Sequence, residues 1–359
     1  MAATEAALER ARALMDANIL DVGGRCWTGR DLVTAGTLTG EWPAMERALA
    51  TGVLALGHWQ PSADAVQAAV RDFRYERRLV SGDEYAGWLA ARDLRADDVR
   101  AVMSRRLVRE RGAARMVDGD WRDATGGAGA PSRFELVAEL AGEAICSGTL
   151  ARSGRWLIDR LLCHADSPGQ DVPREAVDQL LADEDALLAA NLASQLEADG
   201  RRRAELFVAA DIAYQAQVRD LSSDRAIASC LRRRALDWLR FELDELTCAS
   251  PGAAAEAAEL LREGAATARV GELAGVPVVG RNLYLEDAPA AIQGSLGAAT
   301  VGAIVGPVEI NGLHRVWRVK TRRAPSASDP DNRARAAAEI VADEMARRRA
   351  GKVRWHDHH

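Results

Sequence analysis

The spacing of apolar residues along this chain changes period near residue 237. Before it, hydrophobic positions recur at helical intervals. Ala7, Leu8, Ala11, Leu14, Met15 and Ile19 predict a short amphipathic helix over residues 4–20. Asp21–Gly40 is glycine-rich and predicts no regular element, and Trp42, Met45 and Leu49 open the next helix, which ends near Gly52. Three stripes follow: Val66, Val70 and Phe73; Tyr85, Trp88 and Leu89; Val99, Val102, Met103 and Leu107. They predict a three-helix unit over Ser62–Glu110. Its second helix starts with a capping box, Ser81-Gly82-Asp83-Glu84, in which serine and glutamate each satisfy a free backbone N–H. Its third opens on Asp97 and Asp98, favourable at the positive end of the helix dipole. Periodicity then fails over 116–133 and resumes in helices at Phe134–Ala165, Glu175–Asp199, Arg201–Arg219 and Asp224–Leu239.

From Asp237 the period shortens to two. Leu239, Phe241 and Leu243 alternate as in a strand. Pro251 stands at a first helical position ahead of the Ala/Glu run Gly252–Glu263, closed by Gly264. Ala274–Leu285 predicts a short strand with a Pro/Gly-broken start, and Ala288–Ala299 a short helix carrying Ile292 and Leu296. Ile304–Ile310 and Leu313–Val319 flank Asn311-Gly312, the dipeptide best suited to a two-residue hairpin turn, which needs positive φ at both central positions. A last amphipathic helix over Asp331–Arg349 ends in an apolar coda, Val353 and Trp355. The pattern therefore predicts an α+β protein in five parts. These are a helical domain (1–115), a linker (116–133), a second helical region (134–236), a small α/β domain (237–323), and a C-terminal helix with tail (324–359).

Composition narrows the function. At 359 residues the chain is long enough for two or three cores, and 48% hydrophobic with 28% charged residues is ordinary for a globular protein. A net charge of −6 argues against a phosphate-backbone binder, so no nucleic acid partner is expected. No stretch approaches the ~18 apolar residues of a membrane span. Met1–Leu20 lacks the basic-then-apolar order of a secretory signal. The five cysteines (Cys26, Cys146, Cys163, Cys230, Cys248) are widely spaced and form no CxxC pair, which predicts reduced, mostly buried thiols in a cytoplasmic protein.

Isolated motifs carry little chemistry. The glycine cluster in 116–133 lacks the Lys-Ser/Thr of a phosphate cradle and reads as a linker. Cys163 and His164 are adjacent on a helix, about 100° apart, and so do not share one ion. Arg232-Arg233-Arg234 fits a solvated helix face or, less commonly for such a triplet, a binding patch. Arg100–Glu110 and Arg225–Leu236 share a pattern, as a weak internal repeat or as two helices of similar composition. His356-Asp357-His358-His359 is either a loose exposed tail or a transition-metal binder. No metal site and no cofactor are assigned.

Around the hairpin the sequence resembles the parvulin-type peptidyl-prolyl isomerases of the PpiC/SurA/PrsA group. The resemblance rests on Gly302, Ile304, Gly306-Pro307-Val308 and Gly312-Leu313-His314, with a turn about one residue shorter than usual. Arg240-Phe241-Glu242-Leu243 stands where the family has Arg-His-Ile-Leu, and Gly280-Arg281-Asn282-Leu283-Tyr284 matches its Gly-Gly-Asp-Leu-Gly loosely. Over residues 60–355 the order of segments is similar to SurA-like chaperones, whose trailing helix packs back on the N-terminal helical part, and to PpiC-related proteins of ribosomal-peptide maturation systems. The resemblance implies a sheet wrapped by helices, a catalytic His314, and a peptide pocket lined by Phe241, Leu243, Tyr284, Ile292 and Leu296. It also implies a loss, since Phe241 replaces the first of the family's two histidines and no central Asp or Cys is evident.

Three functions follow as expectations. The first is a chaperone or maturation factor that binds a precursor or unfolded peptide through a degenerate parvulin-like domain. The second is an active prolyl isomerase, since the isomerisation barrier of roughly 18–20 kcal/mol yields to desolvation and distortion alone. The third is a non-catalytic scaffold for other peptide-maturation enzymes.

Overall fold

The first helix, α1 (Ala2–Asp16), is followed by a hairpin where the sequence predicted irregular chain. Strands β1 (Asn18–Val22) and β2 (Arg25–Thr28) pair antiparallel, with Asp21 opposite Cys26. Gly23 and Gly24, at φ 61° and 81°, make the turn between them. The computed structural model describes residues 2–115, 133–166, 171–185 and 197–356. The expected linker over 116–133 lies almost wholly outside these, as do Asp357, His358 and His359 of the tail. The chain divides into two units, Met1–Gln217 with Met345–His359, and Val218–Glu344.

In the first unit, helices α2 (Gly29–Leu38) and α3 (Glu41–Leu56) follow the hairpin. The expected three-helix unit is formed by α4 (Ala63–Glu76), α5 (Gly82–Ala90) and α6 (Ala96–Arg115). Phe73, Val99, Val102 and Met103 are its buried centre, and the Ser81–Glu84 capping box forms as predicted. The single helical run expected over Phe134–Ala165 is two helices, α7 (Arg133–Cys146) and α8 (Thr149–Asp166), separated by Gly148 at φ 76°. Next come α9 (Arg174–Asp185) and α10 (Glu197–Leu221). The main core gathers Leu20, Trp27, Leu32, Trp42, Leu49, Leu157 and Phe207.

The second unit begins with α11 (Asp224–Arg233) and continues through β3 (Arg240–Cys248), α12 (Pro251–Arg262), α13 (Thr267–Ala274), β4 (Val278–Tyr284), α14 (Ala290–Ala298), β5 (Ile304–Ile310) and β6 (Leu313–Arg323). It therefore extends beyond 237–323 on both sides. The helix α15 (Pro330–Arg349) follows, and from Met345 its residues belong to the first unit, as does β7 (Val353–Trp355). Within the first unit β7 completes a three-stranded sheet of order β2-β1-β7, and Arg349 donates two hydrogen bonds to Asp159 at 2.7 and 2.6 Å. Among the described residues, no helix is long and apolar enough to cross a membrane.

The second unit is built on a four-stranded antiparallel sheet of order β4-β3-β6-β5. Both faces are covered, because strands β3 and β6 carry apolar residues at odd and even positions alike. Phe241, Leu243, Trp317 and Val319 lie on one face, under Ile292 and Leu296 of α14. Leu246, Cys248 and Val316 lie on the other, against Ala254, Ala258 and Leu261 of α12 and Val270 of α13.

Candidate functional site

The six residues expected to form one pocket are distributed over three places. Phe241, Leu243, Ile292 and Leu296 do come together, but they are 0–1% exposed and form the core of their face. They hold the sheet to α14 and present no surface to a ligand. Tyr284, at the end of β4, belongs elsewhere. Its hydroxyl donates to Asn332 Oδ1 at 3.2 Å, its ring lies 4.2 Å below the Arg335 guanidinium, and it packs against the Trp238 cluster. Tyr284 thereby fastens the sheet to α15 within this unit.

His314 lies on the opposite face from Phe241. Its cross-strand partners are Cys248 and Glu309, and its neighbour on that face, Val316, is core under α12 and α13. The short turn explains the placement. Side chains alternate along a strand, so an offset of one residue exchanges the faces. With Asn311 and Gly312 as the whole turn, at φ 54° and 75°, it is Arg315 that shares the face of Leu243 and Trp317.

What the structure does assemble on that face is a charged cluster centred on Glu245, which composition and spacing did not single out. Glu245 is 5% exposed. Its Oε2 accepts from the Trp317 indole at 2.9 Å and its Oε1 from Arg281 at 3.2 Å and Thr247 at 3.4 Å. Arg315 stands 3.7 Å away, with its Nε buried and unpaired. Burial pushes the Glu245 carboxyl up. Hydrogen bonds from Arg281 and Trp317, with the charges of Arg281 and Arg315, outweigh it and hold the group below the usual glutamate range. One carboxylate faces two guanidiniums, so the cluster carries a net positive charge. The alternation Glu242-Leu243-Asp244-Glu245 offered one signal, an acid placed where a strand otherwise buries apolar groups.

The border of this cluster is open. Strand β4 is an edge of the sheet, and Val279, Gly280, Arg281 and Asn282 are exposed along it. The Arg281 side chain is 48% exposed while its tip reaches Glu245. The site thus combines a fixed charge pair, an arginine facing solvent, and an edge strand whose outer backbone groups are available for pairing.

Nothing in it resembles an activated nucleophile. The nearest thiol on the sheet, Cys248, is buried on the other face, and its burial raises its pKa. In the helical unit burial pushes Cys146 up to about 12. Such thiols stay protonated and inert.

The helical unit carries a separate cleft of about 280 Å³ between α1, the turn after α5, the start of α6, and α7. Leu14, Leu94 and Ile145 supply its apolar lining, and Arg10 and Asp98, 3.9 Å apart, its charged rim. A space of this size takes one or two side chains of a bound chain. Compared with models of known protein families and with curated proteins, the sequence finds no match.

Proposed function

We propose that this protein holds an extended peptide, as a chaperone or maturation factor for a ribosomally made precursor, and does not isomerise it. The observation that carries the proposal is the separation of Phe241 and His314. The first is fully buried and the second is on the other face of the sheet, so these two positions do not flank a common prolyl site. The sheet of order β4-β3-β6-β5, wrapped by α12, α13 and α14, supports the parvulin-like reading of the domain. The floor of that domain is the Glu245–Arg281–Arg315 cluster, in which the Glu245 carboxylate is held by Trp317 and Arg281 while Arg281 keeps part of its surface for a ligand. The two guanidiniums hold that carboxyl in its ionised form, which leaves it no proton to give.

The peptide adds to the β4 edge, where main-chain hydrogen bonds give affinity without demanding one sequence. Arg281 faces it and selects for acidic side chains. Fluorescence anisotropy with a labelled, extended acidic peptide tests this. Arg281→Glu lowers affinity about tenfold, or about 1.4 kcal/mol, and His314→Ala leaves it unchanged. Equal affinity for wild type and Arg281→Glu contradicts the placement.

A further inference from the structure

Outside the sheet of the second unit, three side chains of metal-ligating type converge in the first. Asp21, Cys26 and His356 place a carboxylate oxygen, a sulfur and an imidazole nitrogen all within 4.8 Å of one another. Each comes from a different strand of the β2-β1-β7 sheet or from the residue just past it. Asp21 and Cys26 are cross-strand partners and so project from the same face. Asp21 also pairs with Arg354, and His356, two residues further on, returns to that face. Its position is fixed by the backbone, since His356 N–H donates to Ile19 C=O at 3.0 Å and Gly23 N–H to Lys352 C=O at 2.9 Å. The opposite face of the same strands, with Leu20, Val22 and Trp27, is anchored in the main core. The three donors therefore sit on a rigid element.

Two of the donor groups lack a protein partner. Asp21 Oδ1 and His356 Nε2 are both buried and neither makes a hydrogen bond to the protein. A buried polar atom left unpaired costs about 1–3 kcal/mol, and here both residues that carry one belong to the cluster with a free thiol. Cys26 is the one exposed cysteine among the five, which leaves the cluster reachable from solvent.

We infer that Asp21, Cys26 and His356 bind a divalent transition-metal ion of the zinc class. Sulfur and imidazole together select zinc, cobalt or similar ions over calcium and magnesium, which take oxygen ligands. Three protein ligands complete a tetrahedral site with one position left for water or an exogenous donor. On binding, the Cys26 thiol releases its proton to water, and the sulfur, a carboxylate oxygen and an imidazole nitrogen each give an electron pair to the ion. No oxidation is involved. The ion ties β7 to the β1–β2 hairpin and so fixes the segment that follows α15.

The full-length chain, stripped of metal with a chelator and titrated with Co²⁺ alone, tests the site. One equivalent gives a thiolate-to-cobalt charge-transfer band that Zn²⁺ removes and Ca²⁺ and Mg²⁺ do not. Cys26→Ser abolishes the band, and Asp21→Asn and His356→Ala each weaken cobalt binding at least tenfold. Zn²⁺ raises the thermal midpoint of the wild type but not of Cys26→Ser, whose side chain is exposed and whose circular dichroism serves as the check on folding. The double variant His358→Ala with His359→Ala keeps the band, which separates this site from adventitious binding by the following histidines. Absence of the band in the wild type, or metal binding that survives Cys26→Ser and disappears in the double variant, overturns the assignment.

Discussion

Glu245 is the residue on which the second unit's polar interior depends. Glu245→Gln keeps an acceptor for Trp317 but leaves Arg281 and Arg315 without their counter-charge. The arginines are partly solvated, so the expected loss is about 1–3 kcal/mol, below the full cost of breaking a buried pair. Its pH dependence has a definite sign. The folded-state carboxyl is held below its unfolded value, so its contribution is present above the usual glutamate range and is lost as pH falls through the lowered value. Thermal midpoints of wild type and Glu245→Gln therefore differ at neutral pH and converge below about pH 4. A difference that persists unchanged into acid shows that packing, not charge, is responsible. At this scale the sequence was only half informative. The resemblance implied Phe241, Leu243, Ile292 and Leu296 as pocket lining, and the structure brings the four together as buried core. Their position at a core and not at a groove depends on what covers them, which a one-dimensional pattern does not carry. His314 was misleading for a sharper reason, because one residue in the turn decides which face it occupies.

Among the elements, the β5–β6 hairpin was the most legible, with both strands starting where the pattern placed them and Asn311-Gly312 between them. Gly306 has a role that the sequence did not disclose. It lies at φ 107°, and a Cβ there would sit 2.6 Å from the Arg315 carbonyl oxygen, at the irregularity between Val305 and Val308. Gly306→Ala thus carries both backbone strain and a clash with backbone that cannot swing away, and is expected to destabilise by about 2–4 kcal/mol. Chemical denaturation measures it, and a loss under ~0.5 kcal/mol shows that the bulge relaxes. The β1–β2 hairpin does not stand out in the pattern because Gly23-Gly24 opens the glycine-rich stretch Asp21–Gly40, which has no periodicity of its own. Two glycines at positive φ are in fact a turn, and β1 finds its other partner, β7, only at the far end of the sequence. The helix α13 does not stand out either, since eight residues are too few for a clear stripe.

On the scale of the whole molecule the chain is an α+β protein, mainly helical, with two small antiparallel sheets among the described residues. The first unit closes on residues from both ends of the sequence, which makes β7 part of its fold and not an appendage. The second unit carries a sheet buried on both faces, with a charged cluster where its open edge meets solvent. Periodicity carried the long helices and the strands of the second unit, but not the short elements between Asn18 and Leu38, and not the boundary between units, because Val218 and Met345 fall inside continuous helices.

On the proposed function this sheet holds peptide chains without turning them over. A chymotrypsin-coupled assay on a proline-containing peptide that the protein binds tests it most directly, with binding verified in the same sample by anisotropy. At saturating protein the expected isomerisation rate equals that of the peptide alone. A catalysed rate that falls when His314 is changed to alanine would contradict it.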